Sequence, residues 1–165
     1  MDPSDRTILV AGLGNELLSD DGVGVHACRL LDQQARAMGR TDVVIAEIGT
    51  AVGDALHLLE AAKLILGIDA LQAGGAPGTV YLAKASELES QGMVGLHQLS
   101  LLGALQLVEV EISGRSPDWQ RPEVEILGVE PASLALGMTL STPVQAALTR
   151  ITAQVWQRID RWVAG

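Results

Sequence analysis

Cysteine is nearly absent from this chain. Cys28 is the only one, which excludes an internal disulfide and any metal site built from several thiolates. A reducing compartment, the cytoplasm, is the expected location. Phenylalanine is missing altogether and tyrosine occurs once, so the core has to be aliphatic. Basic residues are few: 11 Lys and Arg stand against 20 Asp and Glu, a formal net charge of −9. They form no cluster, which argues against a partner bound through a phosphate backbone. No nucleic acid is expected. No apolar run is long enough to cross a bilayer uninterrupted, so no membrane partner is expected. The start, MDPSDRTILVAG, lacks the basic segment and long apolar stretch of a signal peptide. Internal repeats and low-complexity tracts are absent too.

What is present suits one domain over residues 1–165, with 48% hydrophobic residues spread along the chain. Short apolar runs read as strands: Ile8 to Ala11, Asp42 to Ile48, Lys63 to Asp69, Thr79 to Ala83 and Glu123 to Val129. Helices are expected from Asp21 to Met38, from Val52 to Ala61, from Leu99 to Val108, and at the C-terminus. The last has the clearest period: Val144, Leu148, Ile151, Val155, Ile159 and Trp162 step by three or four and make one apolar stripe. Ser141 or Thr142 can cap it, with Pro143 in its first turn. Alternating strands and helices imply an α/β fold with a mostly parallel sheet. The turn 70–78 is too short for a parallel crossover, which puts the fourth strand antiparallel or at an edge.

The stretch GLGNELLSDDGVG, starting at Gly12, resembles a phosphate-binding turn but is lined with acids. The dinucleotide fingerprint needs a third glycine, and Leu17 stands in its place. That denies the following helix the close approach the fingerprint requires. Glu16 would also repel a pyrophosphate. No Walker loop and no serine-hydrolase elbow is present. Ligands of open α/β sheets bind beyond the carboxyl ends of the strands. That rule selects Asn15 and Glu16 after strand one, Glu47, Gly49 and Thr50 at strand two, and Asp69 ending strand three. His97 precedes the Leu-rich helix. Glu16, Asp69 and His97 make a coherent set, since two carboxylates and an imidazole suit a divalent transition metal. The helix dipole should hold His97 neutral, its ligand form. The blander readings are a surface or supporting His97, an Asp69 that only caps the next turn, and a solvated Glu16. Asp20 and Asp21 read as helix-start acids, Cys28 as a small core residue, and His26 as structural or exposed. His57 reads as structural. Trp119 is either a partner contact or a packing residue.

GLGNELLSDDGVG also resembles the N-terminal signature of the hydrogenase maturation proteases. EIGTAVGDAL, LLGIDALQAGGAPGTVYL, GLHQLSLLGAL and EILGVEPASLALGMTLSTPVQAAL resemble further segments of that family, in order. The resemblance runs through nearly the whole chain. It implies a three-layer sandwich, a five-stranded, mostly parallel sheet with helices on both faces. It implies a metal-dependent endopeptidase that removes the C-terminal extension of a [NiFe] hydrogenase large-subunit precursor. Glu16, Asp69 and His97 match the family's metal-binding and catalytic residues. Nickel is then supplied by the substrate precursor, and another divalent metal can occupy the site in isolation. Glu16 is the first candidate for a general base. A monomer is expected. Two departures stand out: one glycine is missing in Glu47-Ile48-Gly49-Thr50, and Leu96 stands where Ser or Thr would cap the helix. The alternatives are a peptidyl-tRNA-hydrolase-like enzyme, which shares a Gly-Leu-Gly-Asn opening, and a non-catalytic metal- or nucleotide-binding module.

Overall fold

The computed structural model describes residues 7–92 and 95–165. Residues 1–6, part of the segment read for a signal peptide, lie outside them. The aliphatic runs form one sheet: β1 (Ile8–Leu13), β2 (Val43–Gly49), β3 (Leu64–Ala70), β4 (Val80–Lys84) and β5 (Glu123–Val129). Their spatial order is β2-β1-β3-β5-β4. All neighbours are parallel except β4, which runs antiparallel to β5 at the edge, as the short 70–78 turn requires. β1 and the first six residues of β3 are buried along their whole length. Helices cover both faces of such strands, which is why they read as continuous apolar runs.

The helices are α1 (Val23–Met38), α2 (Leu56–Ala61), α3 (Ala85–Ser90), α4 (Leu96–Ile112) and α5 (Thr142–Ala164). α1 and α5 pack together on one face, where Val23, Leu31, Val144, Ile151 and Ile159 meet Ile8, Val10 and Leu66. α2 and α4 cover the other face with Leu59, Leu101, Leu105 and Val108. Each such side chain contributes about 1.5–3 kcal/mol by leaving water. The periodic stripe of α5 is buried as expected, except that Trp162 is only partly so. α4 extends further at both ends than its apolar core suggests. A turn of 3-10 helix at Ser19–Gly22 precedes α1, so the helix proper begins two residues after Asp21.

One expectation fails. The missing third glycine does not keep α1 away from the sheet. Gly12 on β1 faces Gly24 on α1, and a Cβ on either would collide with the other element's backbone. Two glycines outside the fingerprint spacing therefore permit the close approach. The chain leaves β1 at Gly14, whose φ of +103° is open to glycine. A Cβ there would strike the carbonyl of Asp21. β1 connects outward to β2 on one side, while β3 lies on its other side. The loop after β1 and the end of β3 thus flank the switch in strand order, where open α/β sheets bind ligands.

Candidate active site

Three side chains converge at that switch point. Asp21 comes from the loop after β1, Asp69 from the end of β3 and His97 from the first turn of α4. One potential ligand atom from each lies within 4.8 Å of the others. They open into a cleft of about 540 Å³, whose walls include Asn15, Leu18, Thr50, Leu71 and Leu134.

Asp69 is the buried member, with 1% of its surface exposed. Its Oδ1 accepts the N–H of Ala70 at 2.8 Å. Its Oδ2 accepts Nε2–H of Gln98 and lies 3.4 Å from His97 Nδ1. Gln98 is itself buried, and its Oε1 accepts the N–H of Gly95 at the start of α4. Gln98 thus ties Gly95, the N-cap of α4, to the carboxylate. Asp21 accepts the N–H of Asn15 at 2.8 Å, and the same Oδ2 lies 3.9 Å from His97 Nε2.

Burial pushes the Asp69 carboxyl up, against the pull of His97. Asp69 in turn raises the imidazole of His97, with burial opposing and Asp21 adding to the rise. Both acids thus favour the charged imidazole, a pull opposite in direction to that expected from the helix dipole.

The set expected from sequence is brought together only in part. Asp69 and His97 meet, but the third acid is Asp21. Glu16 does not join that group. Its two oxygens accept a bidentate pair of bonds from Arg29 at 2.6 and 2.9 Å, and Arg29 also donates to Glu47. Arg29 holds the Glu16 carboxyl below its ordinary range, against the opposing effect of burial. The physical reason lies in the tight turn. Leu18 N–H bonds Asn15 O, Asp21 N–H bonds Leu18 O, and the 3-10 turn returns Asp21 to the sheet while Glu16 remains toward α1.

Asp20 has yet another role. It is fully buried and accepts bonds from Ala132 N–H, Ser133 N–H, Ser141 N–H and the Ser141 hydroxyl. Ser141 does stand at the N-cap of α5, but its hydroxyl serves Asp20 instead of the helix. Glu130 likewise accepts the N–H groups of Ala73, Gly74 and Gly75 and the Tyr81 hydroxyl, which fixes the turn after β3. The sequence held a signal for Gln98, a Gln three residues after a helix-breaking glycine. The Asp20–Asp21 doublet looked like helix-start acids, and adjacent residues in a turn point in different directions.

The remaining candidates resolve simply. Cys28 is a core residue, its thiol pushed up to about 12 by burial. His26 Nε2 lies 3.8 Å from Glu16. His57 is exposed on α2, away from the structural role expected of it. Trp119 packs against the core and donates to Glu60 O. Among the described residues no helix is long and apolar enough to cross a membrane.

Comparison with known proteins gives a consistent picture. A family model described as hydrogenase maturation protease, HycI, matches residues 25–158. The hydrogenase expression/formation protein HupM of Azotobacter chroococcum is 30% identical over 152 residues, 90% of this chain and 69% of that protein. The hydrogenase 2 maturation protease of Escherichia coli is 29% identical over 151 residues, 90% and 87% of the two chains. Among solved structures, the hydrogenase maturating endopeptidase HybD from E. coli superposes with a TM-score of 0.77 at 26% identity, covering 94% of this chain and 93% of that one. The [NiFe] hydrogenase maturation protease HybD from Thermococcus kodakarensis shares the fold, with a TM-score of 0.74 at 24% identity over 92% and 98% of the two chains.

Proposed function

This chain belongs to the hydrogenase maturation protease family, and on that premise we propose that it cuts the C-terminal extension from a nickel-loaded [NiFe] hydrogenase large-subunit precursor in the cleft of Asp21, Asp69 and His97. The observation that supports this site is the convergence of those three side chains at the strand-order switch. The donor set suits the cargo. Two carboxylates and one imidazole are ligands for a divalent transition metal, and three protein donors leave room for groups of the substrate. The nickel is treated as part of the substrate, brought by the precursor. Asp21, Asp69 and His97 would hold such an ion, which would supply Lewis-acid chemistry for polarising a peptide carbonyl and lowering the pKa of water.

The chain's own residues do the rest. Asn15 N–H fixes Asp21, and Ala70 N–H with Gln98 fixes Asp69, so two acids are aimed before the substrate arrives. Pre-set donors lose little freedom on binding. His97 would hold the metal through a neutral imidazole nitrogen, so metal binding would compete with the proton that Asp69 favours there. Glu16 is poorly placed as a general base, because Arg29 engages both its oxygens and lowers its carboxyl below the ordinary range. The reaction is assigned to the cytoplasm and to a monomer, on a substrate that is protein and not nucleic acid.

The test uses purified nickel-loaded precursor with Asp21→Ala, Asp69→Ala, His97→Ala and Glu16→Ala, followed by mass spectrometry of the large subunit. Loss of shortening in the first three, with Glu16→Ala retaining it, is the expected result. Full processing by Asp21→Ala with loss in Glu16→Ala would overturn the assignment of the third acid. Full processing by all of them would overturn the site.

A further inference from the structure

The segment from Pro131 to Leu140, PASLALGMTL, has no charged residue in a chain of net charge −9. It is nevertheless at the surface: Leu136 is 86% exposed, Met138 68% and Leu134 39%. Leu17 on the facing loop is 56% exposed. These side chains form one patch, because the backbones are paired. Gly137 N–H bonds Leu17 O at 3.0 Å and Ser19 N–H bonds Gly137 O at 2.7 Å. Leu136 and Met138 flank that bridge at i and i+2. The segment is also anchored by Asp20, which accepts two hydrogen bonds within it, from Ala132 and Ser133, and two from Ser141 just beyond it. Ser19 Oγ adds a bond to Ala135 O. A clustered, exposed and fixed set of large apolar side chains marks an interaction surface.

We propose that this rim, Leu17, Leu134, Leu136 and Met138, is the docking platform for an uncharged apolar stretch of the precursor chain beside its scissile bond. The occupant follows from continuity. Leu134 belongs both to the rim and to the wall of the cleft that holds Asp21, Asp69 and His97. A chain with its peptide bond at that cluster can therefore extend directly onto the rim, while a second copy seated on it would obstruct the cleft. A platform fixed before binding adds little ordering cost on the enzyme side. The inference rests on the function proposed above.

The experiment compares the wild type with Leu136→Ser/Met138→Ser, and with Leu107→Ser/Val110→Ser on the exposed side of α4 as a control for general loss of apolar surface. Binding of purified nickel-free precursor is measured by interferometry, and processing of nickel-loaded precursor by steady-state kinetics. Burying two large aliphatic side chains predicts a rise of about tenfold or more in Kd and KM for the rim variant. Its kcat, melting temperature and nickel affinity should stay close to wild type, as should every parameter of the control. If the wild type binds the precursor but never cuts it, the proposed function fails while the binding comparison still decides the rim. An unchanged Kd in the rim variant overturns the inference. So does an equal loss in the control, absence of precursor binding by the wild type, or a wild-type dimer that the rim variant converts to monomer.

Discussion

Replacing Asp20 by Ala tests whether one buried carboxylate fastens the two loops beside the cleft. Its oxygens accept four bonds of 2.7 to 3.0 Å, three from backbone N–H groups and one from the Ser141 hydroxyl. Each N–H left without a partner in a buried setting costs about 1–3 kcal/mol. The hydroxyl can rotate toward another acceptor, and the desolvation of the carboxylate disappears with it, so the sum is partly offset. The net loss expected is about 3–5 kcal/mol, the lower part of the roughly 3–9 kcal/mol that three N–H groups left wholly unpaired would cost. For a chain of this size, that lowers Tm by about 6–20 °C. Calorimetry or urea unfolding at neutral pH reads it directly. pH supplies a second signature. Burial pushes the Asp20 carboxyl up, but the donors of Ser141, Ser133 and Ala132 outweigh it and bring it below its ordinary 3.8. A carboxyl lowered by folding stabilises the fold fully above its unfolded pKa, and that contribution is lost as pH falls through the folded value. The gap between wild type and variant should therefore hold from neutrality to about pH 4 and narrow below it. A loss under about 1 kcal/mol, or a gap that widens in acid, would refute the reasoning.

Two further outcomes follow from the same geometry. Gly14→Ala adds a Cβ at φ +103° against the Asp21 carbonyl, whereas Gly39→Ala at φ +65° meets nothing within 4 Å. Urea unfolding should show a loss above about 3 kcal/mol for the first and only about 1 kcal/mol for the second. Glu130→Ala frees three N–H groups in the turn after β3. Hydrogen exchange at Ala73, Gly74 and Gly75 should rise at least about tenfold, while exchange in β1 stays as it was.

Much of this protein is determined by sequence periodicity and composition. An aliphatic chain without phenylalanine, with five short apolar runs alternating with helices, has few arrangements that bury it other than a sheet covered on both faces. The brevity of the 70–78 turn makes β4 antiparallel, because a crossover needs more chain. The final helix declares its buried face through its own period. Asp69 was legible because a buried strand ending in an acid must deliver that acid beyond the sheet. His97 was legible from its place before an apolar helix.

Tertiary structure alone chose among the acids of the first loop. Glu16, Asp20 and Asp21 lie within six residues, share one chemistry, and take three separate roles. Glu16 is neutralised by Arg29, 13 residues away. Asp20 is drawn to Ser141, 121 residues away. Asp21 reaches Asp69 and His97. Local pattern cannot separate them, because the direction of each side chain is set by a turn at Gly14 and a 3-10 turn at Ser19–Gly22, where no helical or strand period applies. Their partners come from α1, from the start of α5 and from the β3–α4 side of the cleft. Only the fold brings those elements to one loop. The sequence therefore specifies that acids follow β1, and the packing of distant segments decides that Asp21 is the one brought beside Asp69 and His97.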